Sequence, residues 1–570
     1  MATSSRLNEL PAELIERIFS HLDFKDLIVV GRVNHYLRDV YTSSMELQYR
    51  FALDVSGMVD GEPVNNMRSK LVELRRREAA WHALDLSRKV TVHVPHRTSH
   101  IYDLSAGIYL LGDCYAYTVT RETRSLRVFD LRMCATAPAT CTGPWRELTI
   151  DADIVDIAFS LYEFDLIAIV GIKQEQNEER RSIVIYLREL SSGKPHPLAH
   201  RPEMVVGGIT NNRSKMSIMM EIVGPRLLLL MTWRPVSRRL GNRDDTLLLI
   251  NWWEGRLIME TNAPPGTWNG FIFLTPDIIL LPDHVGVCLS VITLPDAAQK
   301  VSMTGFNHVL TLNLPLLRPG RTVSMMSCRA EPNPFGAPHP ERSRRTAPHR
   351  AREFFMPDPA KALVLIEVHV HELSADRLWA VVRRNITLVV HRESLVKVVQ
   401  EHANFREIDF PVLSWAEWGA CVRWVADDTH WSNWITVAAG QRYVGMTEDG
   451  RILIKDFNPH NVKRERALSA EEACSTIISD DGPNRGDMAD DANTESWRRV
   501  RIVDSLSTEE HTVLRGLFDV DLKTPPIPCV EYVSDQIYDY HGLVMDEGHI
   551  IGLRYDLNSN AIVELDVFTL

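Results

Sequence analysis

Paired cysteines are missing from this sequence. Its 8 cysteines are scattered without any Cys-x-x-Cys pair, so neither a zinc site nor a disulfide framework is indicated, and we expect reduced thiols. The first residues contain no uninterrupted apolar segment, and the most apolar later stretch, residues 270–294, is broken by Pro276, Asp277 and Pro282. We therefore expect no secretory signal, no membrane partner and a cytoplasmic or nuclear location.

Positive charge is also in short supply. The chain has 63 Lys and Arg against 75 Asp and Glu, a formal net charge of -12. This balance disfavours a nucleic-acid partner, which is held chiefly by Lys and Arg against phosphate. The sequence further lacks a phosphate-binding loop, a Gly-x-Ser-x-Gly elbow, a His-Glu-x-x-His motif and a Gly-x-Gly-x-x-Gly after a strand. We predict no catalytic residues and no cofactor.

The best candidate for a metal site is a pair of histidines. His369 and His371 in VHVHEL would share one face of a strand, and Glu372 follows them. No third ligand can be assigned, and a chain with 21 His contains such spacings by chance. We therefore predict two strand histidines and no metal.

The segment LPAELIERIFSHLDFKDLIVVGRVNHYLR, residues 10–38, predicts three short amphipathic helices. Pro11 suits the start of the first helix, and Asp23 can cap the second. A unit of about 40 residues seldom folds alone, so its apolar stripe needs a partner or a neighbour. Periodicity alone is also compatible with helices that cap the following domain.

The order of the residues in this segment closely resembles the F-box. The resemblance rests on Leu10-Pro11, Asp26-Leu27 and Val33-Asn34, which occur together at the spacing of that family. Asn34-His35-Tyr36-Leu37 departs from it, because the family more often has Ser, a basic residue and Trp there. The resemblance implies an F-box at residues 5–45 that binds the Skp-type adaptor of a cullin-based ubiquitin ligase. The implied adaptor contacts are Leu10, Pro11, Leu14, Ile15, Ile18, Leu22, Leu27, Val30, Val33 and Leu37.

Some of these apolar residues must instead hold the three helices together, and the sequence does not separate the two sets. We favour Leu10, Pro11 and Ile15 for contact over Phe19. Residues 46–90 continue the helical pattern and predict a rigid linker. Within it, Arg75, Arg76 and Arg77 are flanked by Glu73 and Glu78, which is typical of a solvated helix face.

From residue 91 to 570 the pattern changes to short apolar, β-branched runs separated by Gly, Pro, Asp and Asn, and no long helix is predicted. The runs SIVIYLRELSSGKP and TLLLINWWEGRLI place Gly193 and Gly255 in turns, where a positive φ is inexpensive. Similar runs recur at intervals of about sixty residues, long for a four-stranded repeat but compatible with loop insertions. We predict a multidomain chain whose all-β body is a divergent β-propeller of about seven blades, with six to eight possible. The Trp-Asp and Gly-His dipeptides of standard WD repeats do not occur at the corresponding positions of these runs.

The body also resembles, in patches, propeller-type F-box proteins of basidiomycete fungi. The patches are LLLINWWEG, LSWAEWGACVRW and ILIKDFNP. The family pairing implies a body that selects a protein substrate. A propeller enzyme that carries an F-box and an adaptor-bound scaffold without ligase activity are the alternatives, because propeller active sites are assembled from distant residues.

Two loops and one tryptophan cluster complete the interpretation. Residues 331–352, rich in Pro and Arg, and the acidic residues 478–496 predict mobile loops. The stretch from Trp415 to Trp434 holds five of the 13 Trp. We assign Trp424 to the core and keep Trp431 and Trp434, which follow a polar turn, as weak candidates for substrate binding.

Overall fold

The structure is a computed structural model. It describes residues 9–61, 66–114, 122–175, 180–209, 214–235, 243–298, 303–305, 307–337, 354–373, 381–403, 410–426, 436–479, 500–519, 526–556, 559 and 561–570. Within these ranges no helix combines the length and apolarity that a bilayer crossing requires. The seven cysteines whose side chains are described are free thiols.

The chain begins with a helical region. Its elements are α1 (Ala12–Phe19), α2 (Phe24–Val30), α3 (His35–Ser43), α4 (Met45–Ser56), the short strand β1 (Met58–Asp60) and α5 (Met67–Ala83). Capping side chains set the helix starts, as predicted for Asp23, whose Oδ1 accepts from the backbone N–H of Asp26 at 2.8 Å. Asn34 caps α3 in the same way through the N–H of Leu37, at 2.8 Å.

Strands dominate the rest of the described chain. The first third has β2 (Lys89–His93), β3 (Thr98–Ser105), β4 (Ile108–Cys114), β5 (Thr123–Asp130), β6 (Thr140–Cys141), β7 (Arg146–Ser160), β8 (Leu166–Gln174), β9 (Arg181–Glu189) and β10 (Glu203–Ile209). The next has β11 (Ser214–Val223), β12 (Arg226–Pro235), β13 (Asp245–Asn251), β14 (Arg256–Ala263), β15 (Ile272–Thr275), β16 (Ile278–Asp283), β17 (Cys288–Thr293), β18 (Met303–Thr304) and β19 (Asn307–Asn313).

The remaining strands are β20 (Leu316–Leu317), β21 (Arg321–Arg329), β22 (Phe355–Pro357), β23 (Leu363–Leu373), β24 (Val381–His391), β25 (Val412–Leu413), β26 (Val422–Ala426), β27 (Ala438–Ala439), β28 (Arg442–Met446), β29 (Arg451–Asp456), β30 (Val500–Val503), β31 (Phe518–Asp519), β32 (Cys529–Ile537), β33 (Gly542–Met545), β34 (His549–Asp556) and β35 (Ala561–Thr569). The helices among them are α6 (Leu161–Phe164), α7 (Arg392–His402), α8 (Trp415–Trp418), α9 (Pro459–Ser479) and α10 (Thr508–Leu517).

These strands form the seven blades of a β-propeller in the described part of the chain. Each blade is an antiparallel meander: β3-β4-β5-β7, β7-β8-β9-β10, β11-β12-β13-β14, β15-β16-β17-β19, β21-β23-β24-β26, β27-β28-β29-β32 and β33-β34-β35-β2. The first two blades share β7, whose first residues pair with β5 and whose last residues pair with β8. The predicted all-β propeller body is confirmed.

The ring closes through a strand from before the first blade. β2 pairs antiparallel with β35 in the last blade, with Lys89 opposite Phe568 and Val92 opposite Leu565. Apolar clusters lie between neighbouring blades, as where Ala168 and Ile185 of the second blade pack with Leu229 of the third. The chain thus buries its apolar strand faces between blades.

Four features of the body can be compared with the sequence predictions. Gly193 and Gly255 have φ of 70° and 64°, as expected for their turns. Trp424 is 4% exposed and packs against Phe518 with ring centroids 5.3 Å apart, so its core assignment is confirmed. The expectation of no long helix after residue 90 is wrong, because α9 has 21 residues. Its sequence, rich in Ala, Glu and Arg, favours helix without showing a clear apolar stripe.

The two predicted mobile loops have different outcomes. Residues 331–337 are packed into the body, which contradicts the prediction for that part of 331–352: Asn333 Nδ2 donates to Glu221 at 2.6 Å, and Gly336 N donates to Glu163 at 2.8 Å. Residues 338–353 and 480–499 lie outside the described residues, as do Trp431 and Trp434.

Candidate functional site

The first four helices share a small core. Its buried members are Ile15, Phe19, Leu27, Leu37, Val40 and Leu47, with Leu10, Leu22, Val30 and Tyr41 partly buried against them. Ile15 is 0% exposed, and it follows Leu14 by one residue, which turns it about 100° around the helix. We therefore correct the preferred contact role of Ile15, and with it those of Leu27 and Leu37. In this conformation their side chains stabilise the module itself.

A second set of the predicted contact residues faces outward. Leu14 and Ile18 are 49% and 42% exposed, and they lie one turn apart on the same face of α1. Pro11 and Val33 are exposed as well. These four side chains remain candidates for contact with a partner, because exposed apolar residues on a small helical module are costly unless another surface covers them.

Two exposed residues were missed by the sequence reasoning. Val29 and Tyr36 also present apolar surface to solvent. Tyr36 lies beside the start of α1, because its hydroxyl donates to the backbone carbonyl of Leu10 at 2.9 Å. The sequence did contain a signal that Val29 is exposed. Val29 lies two residues after the core residue Leu27 and hence on the opposite side of α2.

The linker joins these helices to the propeller through a continuous set of contacts. β1 pairs with β22, with Val59 opposite Met356. Asp60 accepts from Lys70 Nζ at 2.7 Å and from the Tyr49 hydroxyl at 2.8 Å, so α4, β1 and α5 share one polar centre. Further along, Asn458 Nδ2 donates to the carbonyl of Val55 at 2.8 Å.

The last turns of α5 are buried against the sixth and seventh blades. Trp81 Nε1 donates to the carbonyl of Glu547 at 3.2 Å, and the guanidinium of Arg442 lies 4.9 Å from the Trp81 ring centroid. Arg77 is buried over the ring of Phe355 at 4.2 Å, so the prediction that all three arginines are solvated is wrong for Arg77. Side chains of α5 thus anchor the linker to the body.

The channel of the propeller holds a cavity of about 430 Å³. Five carboxylates line it. Glu163 of α6 accepts from the backbone N–H groups of Gly224 and Gly336. The other four acids are Asp103, Asp156 and Glu221, from three inner strands, and Glu331, from the segment after β21. Ser105 Oγ donates to Glu331 at 3.0 Å, and the N–H of Leu104 donates to Asp103 at 2.8 Å. Among the described residues, none of the four forms an ion pair.

Burial, with a smaller contribution from neighbouring acids, makes ionisation of these carboxylates unfavourable. Burial raises the pKa of Asp103 and of Glu221 to about 7. Burial, together with the neighbouring Asp103 and Glu221, raises the pKa of Glu331 to about 8. Burial also holds the pKa of Asp156 well above its ordinary value. The cavity is therefore a region of strongly negative potential whenever its acids are ionised.

The two histidines lie on one strand. His369 and His371 alternate on β23 opposite Asn385 and Arg383, as their spacing predicts. Within the described ranges no three His, Cys, Asp or Glu side chains are grouped so that they could hold a metal ion.

Comparison with known proteins identifies the helical region. Residues 7–53 match the F-box-like family. An F-box-like domain implies binding of a Skp-type adaptor. No curated protein matches the chain.

Solved structures similar to the body include two isolated propellers. The β-propeller domain of the trilobed protease from Pyrococcus furiosus is 9% identical with a TM-score of 0.28, over 64% of this chain and 90% of that one. The β-propeller domain of Cps50 (Swd1) from Myceliophteria thermophila is 10% identical with a TM-score of 0.29, over 64% and 84%. At these scores the likeness carries no argument, and the fold assignment rests on strand order and ring closure.

Proposed function

We propose that this protein is the substrate-recognition subunit of a Skp–cullin–F-box ubiquitin ligase. The F-box-like match at residues 7–53 carries the proposal. The exposed side chains of Leu14 and Ile18 support it, because they give a Skp-type adaptor apolar surface to cover. The adaptor would connect the chain to a cullin, and the propeller would bind the protein that is to be ubiquitinated.

The linker contacts also support an F-box-like region that binds the adaptor and a propeller that binds the substrate. A receptor must present its target at a fixed distance from the ubiquitin-transferring partner, and α5 is held by buried side chains rather than by a flexible tether. We propose that the chain has no catalytic activity of its own and acts in the cytoplasm or nucleus. The patches of the body that resemble propeller-type F-box proteins support a basidiomycete fungal type.

Affinity purification from the native cell with the proteasome inhibited tests the proposal. We expect a Skp-type adaptor and a cullin to copurify, together with ubiquitinated protein that accumulates under inhibition. Failure to recover either adaptor or cullin would contradict the proposal. A parallel purification of a Leu14→Asp, Ile18→Asp double variant supplies the control, since it should lose both partners.

The same purification separates the alternatives. Recovery of the adaptor without a cullin, and without ubiquitin transfer in a reconstituted assay, would indicate a scaffold. Metal or cofactor retained in stoichiometric amount by the purified protein would instead favour a propeller enzyme that carries an F-box for its own turnover.

A further inference from the structure

The four channel carboxylates lie near one end of the channel, and that end is closed. The inner strands finish side by side there, because Gly107 N, after β3, donates to Asp546 Oδ2, after β33, at 3.1 Å. Glu163, after β7, likewise accepts from Gly224 N, after β11, at 3.2 Å. The carboxylates thus come from strands that run in one direction around a common axis.

The segment 331–337 crosses this end of the channel. It starts at the sixth blade, where the carbonyl of Glu331 accepts from Gly440 N at 3.0 Å. It continues to the boundary of the second and third blades, where Gly336 N donates to Glu163 at 2.8 Å. A side chain added at Gly336 would collide with the backbone of Gly224, so the crossing is tight. The cavity is a cup whose base carries Glu331.

One further polar group in the cup has no partner. Thr436 lines the cavity and is 6% exposed, and its Oγ1 makes no hydrogen bond among the described residues. A buried hydroxyl without a partner is costly, and such groups are normally satisfied by a ligand or by water. This is an observation independent of the acids, and it also points to an occupant.

We propose that the cup binds an organic cation with an alkylammonium or guanidinium head, which the carboxylates of Asp103, Asp156, Glu221 and Glu331 surround. Two arginines lie close to these acids. Arg329 lines the cavity and pairs with Glu367 at 3.3 Å, outside the four acids. Arg392 is buried, donates through Nη1 to the carbonyls of Pro332 and Pro359 at 2.7 and 2.5 Å, and its charge acts on Glu331 and Glu221. A single arginine charge does not balance four acids, so the cup keeps an excess of negative charge for a cation from outside when the acids are ionised.

The composition of the cup favours an organic cation over a metal ion. The described acids do not converge in a metal-binding group, whereas a guanidinium has five donors that can reach several separate carboxylates. The walls also include the aromatic rings of Tyr102 and Tyr162 and the apolar side chain of Ile218, which suit an alkyl stem. The cation is either a free small molecule or a Lys or Arg side chain of a captured protein.

Calorimetric titration of the full chain with butylguanidinium at pH 8.5, above the pKa of Asp103, Glu221 and Glu331, tests the proposal. The uncharged isostere butylurea is its matched control at constant ionic strength. We expect saturable binding of butylguanidinium and none of butylurea. Equal responses to the two probes would overturn the proposal, as would binding of calcium chloride in place of butylguanidinium.

Two variants locate the site. Glu331→Gln and Asp103→Asn should each weaken butylguanidinium binding at least tenfold, whereas Glu448→Gln, at an exposed turn, should leave it unchanged. Unchanged binding in both cup variants would overturn the assignment to the cup. If a variant fails to fold, as judged by circular dichroism, the probe comparison on the unaltered chain still decides.

A peptide pair distinguishes the two sources. Acetyl-Gly-Gly-Arg-Gly-Gly-amide is compared with the same peptide containing citrulline. Binding of only the arginine peptide, in addition to butylguanidinium, assigns the cup to a protein side chain, and binding of butylguanidinium alone assigns it to a small molecule. The inference concerns the cup and does not rest on adaptor binding, which copurification of the adaptor measures separately.

Discussion

Arg442 donates to the carboxylate of Glu78 at 2.6 Å, across the boundary between the linker and the sixth blade. Both side chains are almost fully buried, and Arg442 also donates to Asp456 at 3.1 Å. A buried charge that loses its partner is strongly destabilising, so this pair makes the docking of α5 specific. The orientation of the F-box-like helices relative to the propeller therefore depends on side chains far from either proposed binding surface.

Glu78→Gln should lower the free energy of unfolding by about 3 kcal/mol, because it leaves Arg442 with Asp456 as its remaining anionic partner. Glu73→Gln is the matched control on the same helix. Its partner Arg76 is largely exposed, so the cost should stay under about 1 kcal/mol. Chemical denaturation of both variants measures the difference, and equal costs would show that the buried pair contributes no more than the exposed one.

Leu14→Asp should weaken adaptor binding about a hundredfold or more, because it places a charge in the proposed apolar interface. Its melting temperature should stay close to that of the parent, since the side chain is half exposed. Val72→Asp, at an exposed position of α5 outside the F-box-like region, is the control and should bind normally. Normal binding by Leu14→Asp would place Leu14 outside the interface.

Ile15→Ala should act through stability instead. Removing most of a fully buried Ile costs about 2–5 kcal/mol, so the helical module should unfold at lower denaturant concentration. Any loss of adaptor binding should recover when binding is measured at a lower temperature, where the module is folded. An Ile15→Ala variant that is fully stable yet binds the adaptor poorly would show that Ile15 contacts the adaptor directly.

Trp424→Ala should destabilise the propeller by about 3–5 kcal/mol, because its ring packs between Trp415 and Phe518. Trp431→Ala tests the proposed substrate contact and should weaken substrate capture while the melting temperature is unchanged. Differential scanning calorimetry and pull-down of ubiquitinated substrate measure the two effects. Negligible melting shifts for both variants would contradict this division of roles.

Glu331→Gln should stabilise the chain at pH 8 and have little effect at pH 5. The raised pKa lets folded Glu331 keep its proton up to about pH 8, whereas the unfolded chain releases it near the ordinary value, so stability falls as pH rises between the two. Each pKa unit corresponds to about 1.4 kcal/mol. The charged neighbours that act on Glu331 are Asp103, Glu221, Glu547 and Arg392.

The measurement is the melting temperature of variant and parent at the two pH values, without added cation. The same gain at pH 5 and pH 8 would show that Glu331 does not titrate as proposed.

The sequence predicted the F-box-like helices and the propeller body because both depend on local patterns. Pro11 and Asp23 mark helix starts, and the turns at Gly193 and Gly255 separate strands. The sequence pattern could not separate the contact residues of α1 from its core residues. Leu14 and Ile15 are both apolar, and only tertiary packing, which covers the side of the helix that carries Ile15, distinguishes them.

The channel could not be predicted, because the ring brings together residues that are distant in the sequence. Asp103, Asp156 and Glu221 each follow apolar runs that look like any strand, and nothing local indicates that they share a cavity. The segment from Glu331 to Ala337 has the Pro, Asn and Gly content of a surface loop. Its backbone hydrogen bonds to Gly440 and Glu163, rather than its composition, hold it in the channel.

Ring closure through β2 has a consequence for how the chain is made. β2 (Lys89–His93) leaves the ribosome long before its partner β35 (Ala561–Thr569), so it must wait with an unpaired edge through the synthesis of every blade. The face of α5 that carries Trp81 is also uncovered until Arg442 and Glu547 arrive. A chain whose synthesis stops early would therefore carry an F-box-like region next to an unpaired strand edge and an exposed Trp81. Cellular quality control can recognise both features before the incomplete chain competes for the adaptor.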